Sequence, residues 1–165
     1  MVEIEAARGD CPGLAALEPG DEAAVAGLFG RLSAQSIYRR FLSPISRIDQ
    51  FTSSVLRVDT HNRAAVAAIA GGEVIGVAQY SRAPGADTAD LAIMVADAWQ
   101  RQGLGTRMVA ALADQASAVG IRRFSVDVQG DNYGALRLLQ RVSPGVRLKF
   151  HQGVGEGVFS ICGGG

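Results

Sequence analysis

The residues from Trp99 to Met108, "WQRQGLGTRM", bring together types suited to holding an anion. Gly103 and Gly105 free the backbone, Arg101 and Arg107 supply cations, no acid intervenes, and an apolar run opens directly behind them. A helix that starts here exposes unpaired N–H groups backed by the positive end of its dipole, and a phosphate is accepted there when nothing bulky blocks the approach. The same two glycines also suit a tight turn that only needs positive φ. Two known phosphate loops do not fit. GxxxxGK[ST] lacks its lysine, since Arg107 follows Thr106 in the wrong order. GxGxxG would need glycine at Met108 and a turn straight after the strand, where "ADAWQRQ" intervenes.

The elements around this stretch must place it between a strand and a helix. "TADLAIMVAD" reads as a strand, and Leu104, Met108, Leu112 and Val119 then fall on one helical face that Gly120 ends. "RRFSVDVQ" alternates Phe124, Val126 and Val128 against Ser125, Asp127 and Gln129, the pattern of a half-buried strand. Strand, turn, helix, strand is a βαβ crossover, so these two strands should be parallel neighbours. Upstream, "VEIEAA" reads as a first strand. Val25, Leu28, Phe29 and Leu32 mark a helix, Ser33 caps a second that stops before Pro44, and "RIDQFTSSVLRVD" makes a third. "NRAAVAAIAGGEVIGVAQYSRAP" is a hairpin turning at Gly71-Gly72. "DNYGALRLLQRV" is a short helix, and "VRLKFHQGVGEGVFSICG" closes the chain as a second hairpin. The expected fold is α+β, a mixed and mostly antiparallel sheet flanked by helices with a central βαβ crossover, in a single domain over 1–165.

Composition bounds the function. With 48% hydrophobic and 19% charged residues among 165, the chain is globular and long enough for a real core. Sixteen basic against sixteen acidic residues exclude the bulk positive charge of a dedicated nucleic-acid binder. Apolar runs are broken by glycine and glutamate before they reach membrane-spanning length, and "MVEIEAARGD" has no basic-then-apolar leader, so a cytoplasmic protein is expected. Cys11 and Cys162 form no CxxC pair and read as buried or edge thiols. His61 and His151 stand apart and read as hydrogen-bonded structural histidines, so no metal is expected. The terminal "GGG" reads as an unstructured tail.

"QRQGLG", Gln100 to Gly105, resembles the Q/R-x-x-G-x-G/A signature of the GNAT superfamily of N-acetyltransferases, and it sits between strand and helix as it does there. "VQGDNYGALRLL" is similar to that family's N-x-x-A-x-x-L segment, and "LSAQSIYRRFLSP" resembles the bacterial protein-lysine acetyltransferase branch. The resemblance implies acetyl-CoA as cosubstrate. The amides of Gln100, Arg101, Gln102, Gly103, Leu104, Gly105 and Thr106 would hold its pyrophosphate, with Arg107 as an auxiliary cation or an exposed helix residue. Ile93, Met94 and Val95 would pair with the pantetheine arm where the strand diverges from its parallel neighbour. Asn132 matches the family asparagine and also suits a helix cap.

The chemistry so implied is transfer of acetyl to a primary amine, a protein lysine or a small molecule, by direct attack in a ternary complex. Such an amine must first lose a proton. Asp90 opens the middle strand where the resembled enzymes carry glutamate and is the candidate base, its side chain on the face of Ala92 and Met94. Being one methylene shorter, it favours a water-mediated route. Asp127 and Glu73 are lesser candidates. The tyrosine that many members use as general acid is Leu139 here, and Ser143-Pro144 replaces the usual Gly-Phe beyond it; Tyr133 reads as packing or solvent-facing. These departures keep open a second reading, a catalytically weak acyl-CoA-binding or sensing module. The Arg39–Arg40 pair reads as a solvated face. A homodimer is left open.

Overall fold

The computed structural model describes residues 1–45 and 47–161, so Cys162 and the terminal glycines lie outside the described residues. In chain order its elements are β1 (Val2–Glu5), β2 (Gly13–Ala16), α1 (Glu22–Phe29), α2 (Ala34–Phe41), α3 (Ile48–Val55), β3 (Arg63–Ala70), β4 (Glu73–Ser81), β5 (Thr88–Val95), α4 (Leu104–Ala118), β6 (Arg123–Gln129), α5 (Tyr133–Val142), β7 (Lys149–His151) and β8 (Val154–Ser160). All eight strands join one sheet in the order β1-β2-β3-β4-β5-β6-β8-β7. Every neighbour pair is antiparallel except β5 and β6, the two strands joined through α4.

One strand escapes the sequence reading. β2, "GLAA", is four residues long with Gly13, Leu14 and Ala15 buried, so it shows no alternation to reveal it. It lies between β1 and β3, with Leu14 opposite Ala68. The other elements fall where the apolar periods place them. α2 is capped by Ser33, whose hydroxyl accepts from the Ser36 N–H at 3.1 Å. α4 ends in a Schellman arrangement, with Ile121 N–H donating to Ala116 O (3.0 Å) and Gly120 N–H to Ser117 O (3.1 Å).

Helices cover both faces of the sheet. Met108 of α4 lies over Gly76 of β4, while Gln79, three residues on and therefore on the opposite face, reaches Ser54 of α3. Leu104, Met108, Val109, Leu112 and Ala116 bury one side of α4, each large apolar side chain contributing about 1.5–3 kcal/mol. On the other face Phe29 of α1 meets Phe51 of α3 edge to face at 5.2 Å. Among the described residues no helix is long and apolar enough to cross a membrane.

Candidate functional site

The site is built around a parallel pairing that stops early. β5 and β6 are in register only at Thr88–Arg123, Ala89–Phe124 and Asp90–Ser125. Beyond that point β5 follows β4 to Val95 and β6 follows β8 to Gln129, so the two strands separate. Backbone hydrogen-bonding groups alternate along a strand. The Ala96 N–H donates to Ile75 O at 2.7 Å, on the β4 side, so Met94 turns its groups the same way. Ile93 and Val95 therefore present theirs to the opening. Gln100 Nε2 donates to Val95 O at 3.0 Å. The N–H and C=O of Ile93 and the N–H of Val95 have no partner among the described residues. Unpaired backbone groups of this kind call for an outside partner.

At the mouth of the split lies the glycine loop. Arg101 (φ 63°) and Gly103 (φ 81°) both hold the left-handed conformation, which is uncommon for a residue such as arginine. Gly103 has no side-chain cap to offer α4, and the first helical bond runs from Arg107 N–H to Gly103 O at 3.3 Å. The N–H groups of Leu104, Gly105 and Thr106 precede that bond and remain open. A Cβ on Gly103 would meet nothing within 4 Å, so the approach is clear. Gly105 is small for a different reason: a Cβ there would stand 2.9 Å from Leu138 Cδ2, so this glycine lets α4 and α5 pack closely rather than clearing space for a phosphate.

At the closed end sits Asp90, in the last paired position of β5, its carboxylate accepting from the Ser125 hydroxyl. Asp127 lies two residues further along β6 on the face of Ser125. Burial pushes its carboxyl above the ordinary value, and the like charges of Glu156, directly opposite on β8, and of Asp90 add to the rise. A cleft of 370 Å³ joins these parts, with Asp90, Ser125, Asp127 and Gln79 on the sheet side, Ile93 and Val128 along the split, and Asn132 and Leu139 from α5. The C-terminal turn of α2 closes it through Arg39 and Arg40.

The structure sorts the expected residues. Asp90, Ile93 and Asn132 line the cleft. Asn132 Oδ1 accepts from Ala135 N–H at 3.3 Å, so the cap is real, and the side-chain NH₂ is left for a further partner. Met94 turns its backbone to β4, opposite Val77, and is 4% exposed. Gln100 positions the loop, its amide bonded to Val95 O and its N–H to Asp97 O at 3.4 Å. Gln102 Nε2 reaches back to Ala98 O at 3.3 Å. Arg107 points away from the mouth, pairing with Glu5 at 2.9 Å and donating to Pro12 O at 2.8 Å and Cys11 Sγ at 3.3 Å. Its length carries the guanidinium to the β1–β2 connection.

Glu73 pairs with Arg31 at 2.6 Å and lies outside the cleft lining. Tyr133 is 65% exposed, facing solvent, whereas Leu139 is buried. Both histidines are exposed, and their imidazoles make no hydrogen bond among the described residues, contrary to the reading of them as bonded structural groups. Two contributors went unread. Ser125 was signalled by the alternation that puts it on Asp127's face. Asp97 accepts from Ser33 N–H and Ser36 Oγ, both at 3.1 Å, and so ties α2 to the turn before the glycine loop. Burial opposes ionisation of Asp97, but these hydrogen bonds outweigh it and hold the carboxyl below its ordinary value.

A sheet forked between two parallel strands, with a glycine loop and uncapped helix at its mouth, is an acyltransferase architecture. The GNAT domain of S. lividans PAT shares the fold with a TM-score of 0.86 at 24% identity over 96% of both chains. The ribosomal-protein-S5-alanine acetyltransferase of Vibrio fischeri does so with 0.73 at 12% identity, over 98% of this chain and 97% of the other. In sequence, acetyltransferase Pat of Mycolicibacterium smegmatis is 29% identical over 113 residues, which are 67% of this chain and 34% of Pat, so the chain spans about a third of that relative. Residues 33–143 match the acetyltransferase (GNAT) family model, and the chain belongs to that family.

Proposed function

We propose that the protein is an acetyl-CoA-dependent N-acetyltransferase that moves the acetyl group to a primary amine by direct attack within a ternary complex. The observation that carries this reading is the fork itself: unpaired backbone groups of Ile93 and Val95 line it, and the open N–H groups of Leu104, Gly105 and Thr106 stand at its mouth. The pyrophosphate of acetyl-CoA is held by those amides with Arg101, Gln102 and Gly103, where the helix dipole favours a dianion. The pantetheine arm pairs with Val95, next to the mouth, as an added strand would. The Ile93 N–H, deeper in the fork, donates to the thioester carbonyl and stabilises negative charge as it develops there. The Asn132 amide steadies the arm.

Asp90 removes the amine proton. At ~3.3 Å per residue it lies roughly 10 Å along β5 from Ile93, too far for direct contact with an amine attacking there, so the proton travels through ordered water between them. Water also protonates the departing thiolate, since Leu139 offers no proton. A protein lysine in a cytoplasmic setting is the acceptor toward which the resemblance of "LSAQSIYRRFLSP" points.

The test is calorimetric titration with acetyl-CoA, with thiol release followed against lysine peptides and small amines. Binding together with amine-dependent release is the expected result. Asp90→Asn should lower kcat on the order of 10²-fold while leaving acetyl-CoA affinity unchanged. The buried Leu139 favours a second reading, an acyl-CoA sensing module. Binding without release for any amine would favour that module, and absence of binding would overturn both.

A further inference from the structure

The α2 wall of the cleft carries a cation that the acetyl-transfer chemistry does not use. Arg40 lies mostly out of solvent, and burial alone pulls its guanidinium down to about 10, with no carboxylate opposing the shift. Among the described residues it makes no ion pair and no hydrogen bond, and its Nε is buried without an acceptor. One face of the group is occupied, 4.5 Å over the Phe41 ring, which leaves the Nη N–H groups for a partner. Gln79, on the same cleft, has a buried Oε1 with no donor. Arg39 stands beside it, its Nη2 3.5 Å from Asp131 O.

An unpaired, desolvated guanidinium is costly to keep, and a short hydrophobic side chain would fill the same space without that cost. The opposite wall has the reverse sign, with Asp90 and Asp127 on the sheet. The cleft is therefore bipolar, cationic on α2 and anionic on β5 and β6. An amine alone is drawn to the acidic wall and leaves Arg40 unsatisfied; an anion alone does the opposite. A molecule bearing both charges satisfies both walls.

Resting on the acetyltransferase reading, we propose that Arg40 is a specificity-determining residue that receives a carboxylate of the acceptor. The preferred acceptor is thus a primary amine with a carboxylate close by, supplied either by a free amino acid or by an acidic residue next to a target lysine. The planar guanidinium edge accepts a carboxylate through two parallel N–H bonds, a geometry that lysine at this position would not reproduce.

The experiment compares matched acceptors with the full chain: L-lysine against 1,5-diaminopentane, and blocked Glu-Lys against Gln-Lys dipeptides. It reads kcat/KM with acetyl-CoA and, with CoA bound, the acceptor Kd by calorimetry. Wild type should prefer the carboxylate member of at least one pair by about tenfold or more, in KM and Kd rather than kcat; which pair shows it tells free amino acid from peptide. Arg40→Met, which keeps the packing on Phe41, should erase the preference, and Arg40→Lys should restore part of it, both with unchanged acetyl-CoA affinity. Equal values within both pairs, or a preference that survives in Arg40→Met, would overturn the subsite while leaving the transferase reading standing. Failure of wild type to bind acetyl-CoA would overturn that reading and the subsite with it.

Discussion

Substituting Gly103 by glutamate separates the two things this glycine does. Its φ of 81° costs any L-residue about 1–2 kcal/mol, whatever the side chain. At roughly 2–4 °C per kcal/mol for a chain of this size, Tm should fall by about 2–8 °C. Gly103→Ala carries the same strain, and the new Cβ meets nothing within 4 Å in either variant. Any difference in acetyl-CoA affinity between the two therefore comes from the glutamate side chain beyond Cβ, its bulk and its charge. A carboxylate ~5 Å from the nearer, singly charged phosphate of the pyrophosphate, at an effective dielectric constant of about 20, is repelled by roughly 3 kcal/mol. With side-chain freedom the penalty falls in the range of ~2–3 kcal/mol, which corresponds to a loss of affinity of about 30- to 150-fold.

Calorimetry at 50 mM and 500 mM salt should show the penalty shrinking as screening increases. The N-acetylcysteamine thioester, which has no pyrophosphate, should be used equally well by both variants. Affinity of Gly103→Glu for acetyl-CoA within threefold of that of Gly103→Ala would refute the placement of the phosphate at this helix start.

Gly105→Val places its Cβ 2.9 Å from Leu138 Cδ2 and should destabilise by about 1–3 kcal/mol in urea unfolding, with Leu138→Ala restoring part of the loss; an unchanged midpoint would show that α5 yields freely. Arg107→Met should speed amide exchange in β1 and β2 by removing the bonds to Glu5 and Pro12, with acetyl-CoA affinity kept within twofold; a tenfold loss of affinity would return Arg107 to the phosphate. Asp127 has its carboxyl raised above the unfolded value, so the stability linked to it is complete below the unfolded pKa and is lost as pH rises through the folded one. Asp127→Asn should accordingly be more stable than wild type at pH 7 and equal to it near pH 3, as followed by urea unfolding at both values.

Much of this fold was legible because apolar spacing is a local record of burial. The faces of α4 and β6 and the parallel crossover between β5 and β6 all follow from residues within one or two turns of each other. β2 was not legible, because a four-residue strand with its first three residues buried in succession carries no period. The glycine loop was legible as an anion site by its composition, yet the parts of its two glycines were not: Gly103 meets a conformational need written in its own φ, whereas the need for Gly105 comes from Leu138, thirty-three positions away. The partners of Arg107 and Met94 were not legible for the same reason, since a motif names neighbours in the chain while Glu5 and Val77 come from β1 and β4.

Arg40 shows the limit most plainly. By sequence a pair of arginines on a short helix is a solvated face; only the docking of α2 beside β5, held through Asp97, buries one of them opposite Asp90 and Asp127. Sequence by itself determined the elements other than β2, the crossover and the family signature, because each is set by covalent neighbours. The tertiary structure alone decided which backbone groups stay unpaired and which charges meet across the cleft, because pairing and desolvation depend on segments that the chain brings together only when it folds.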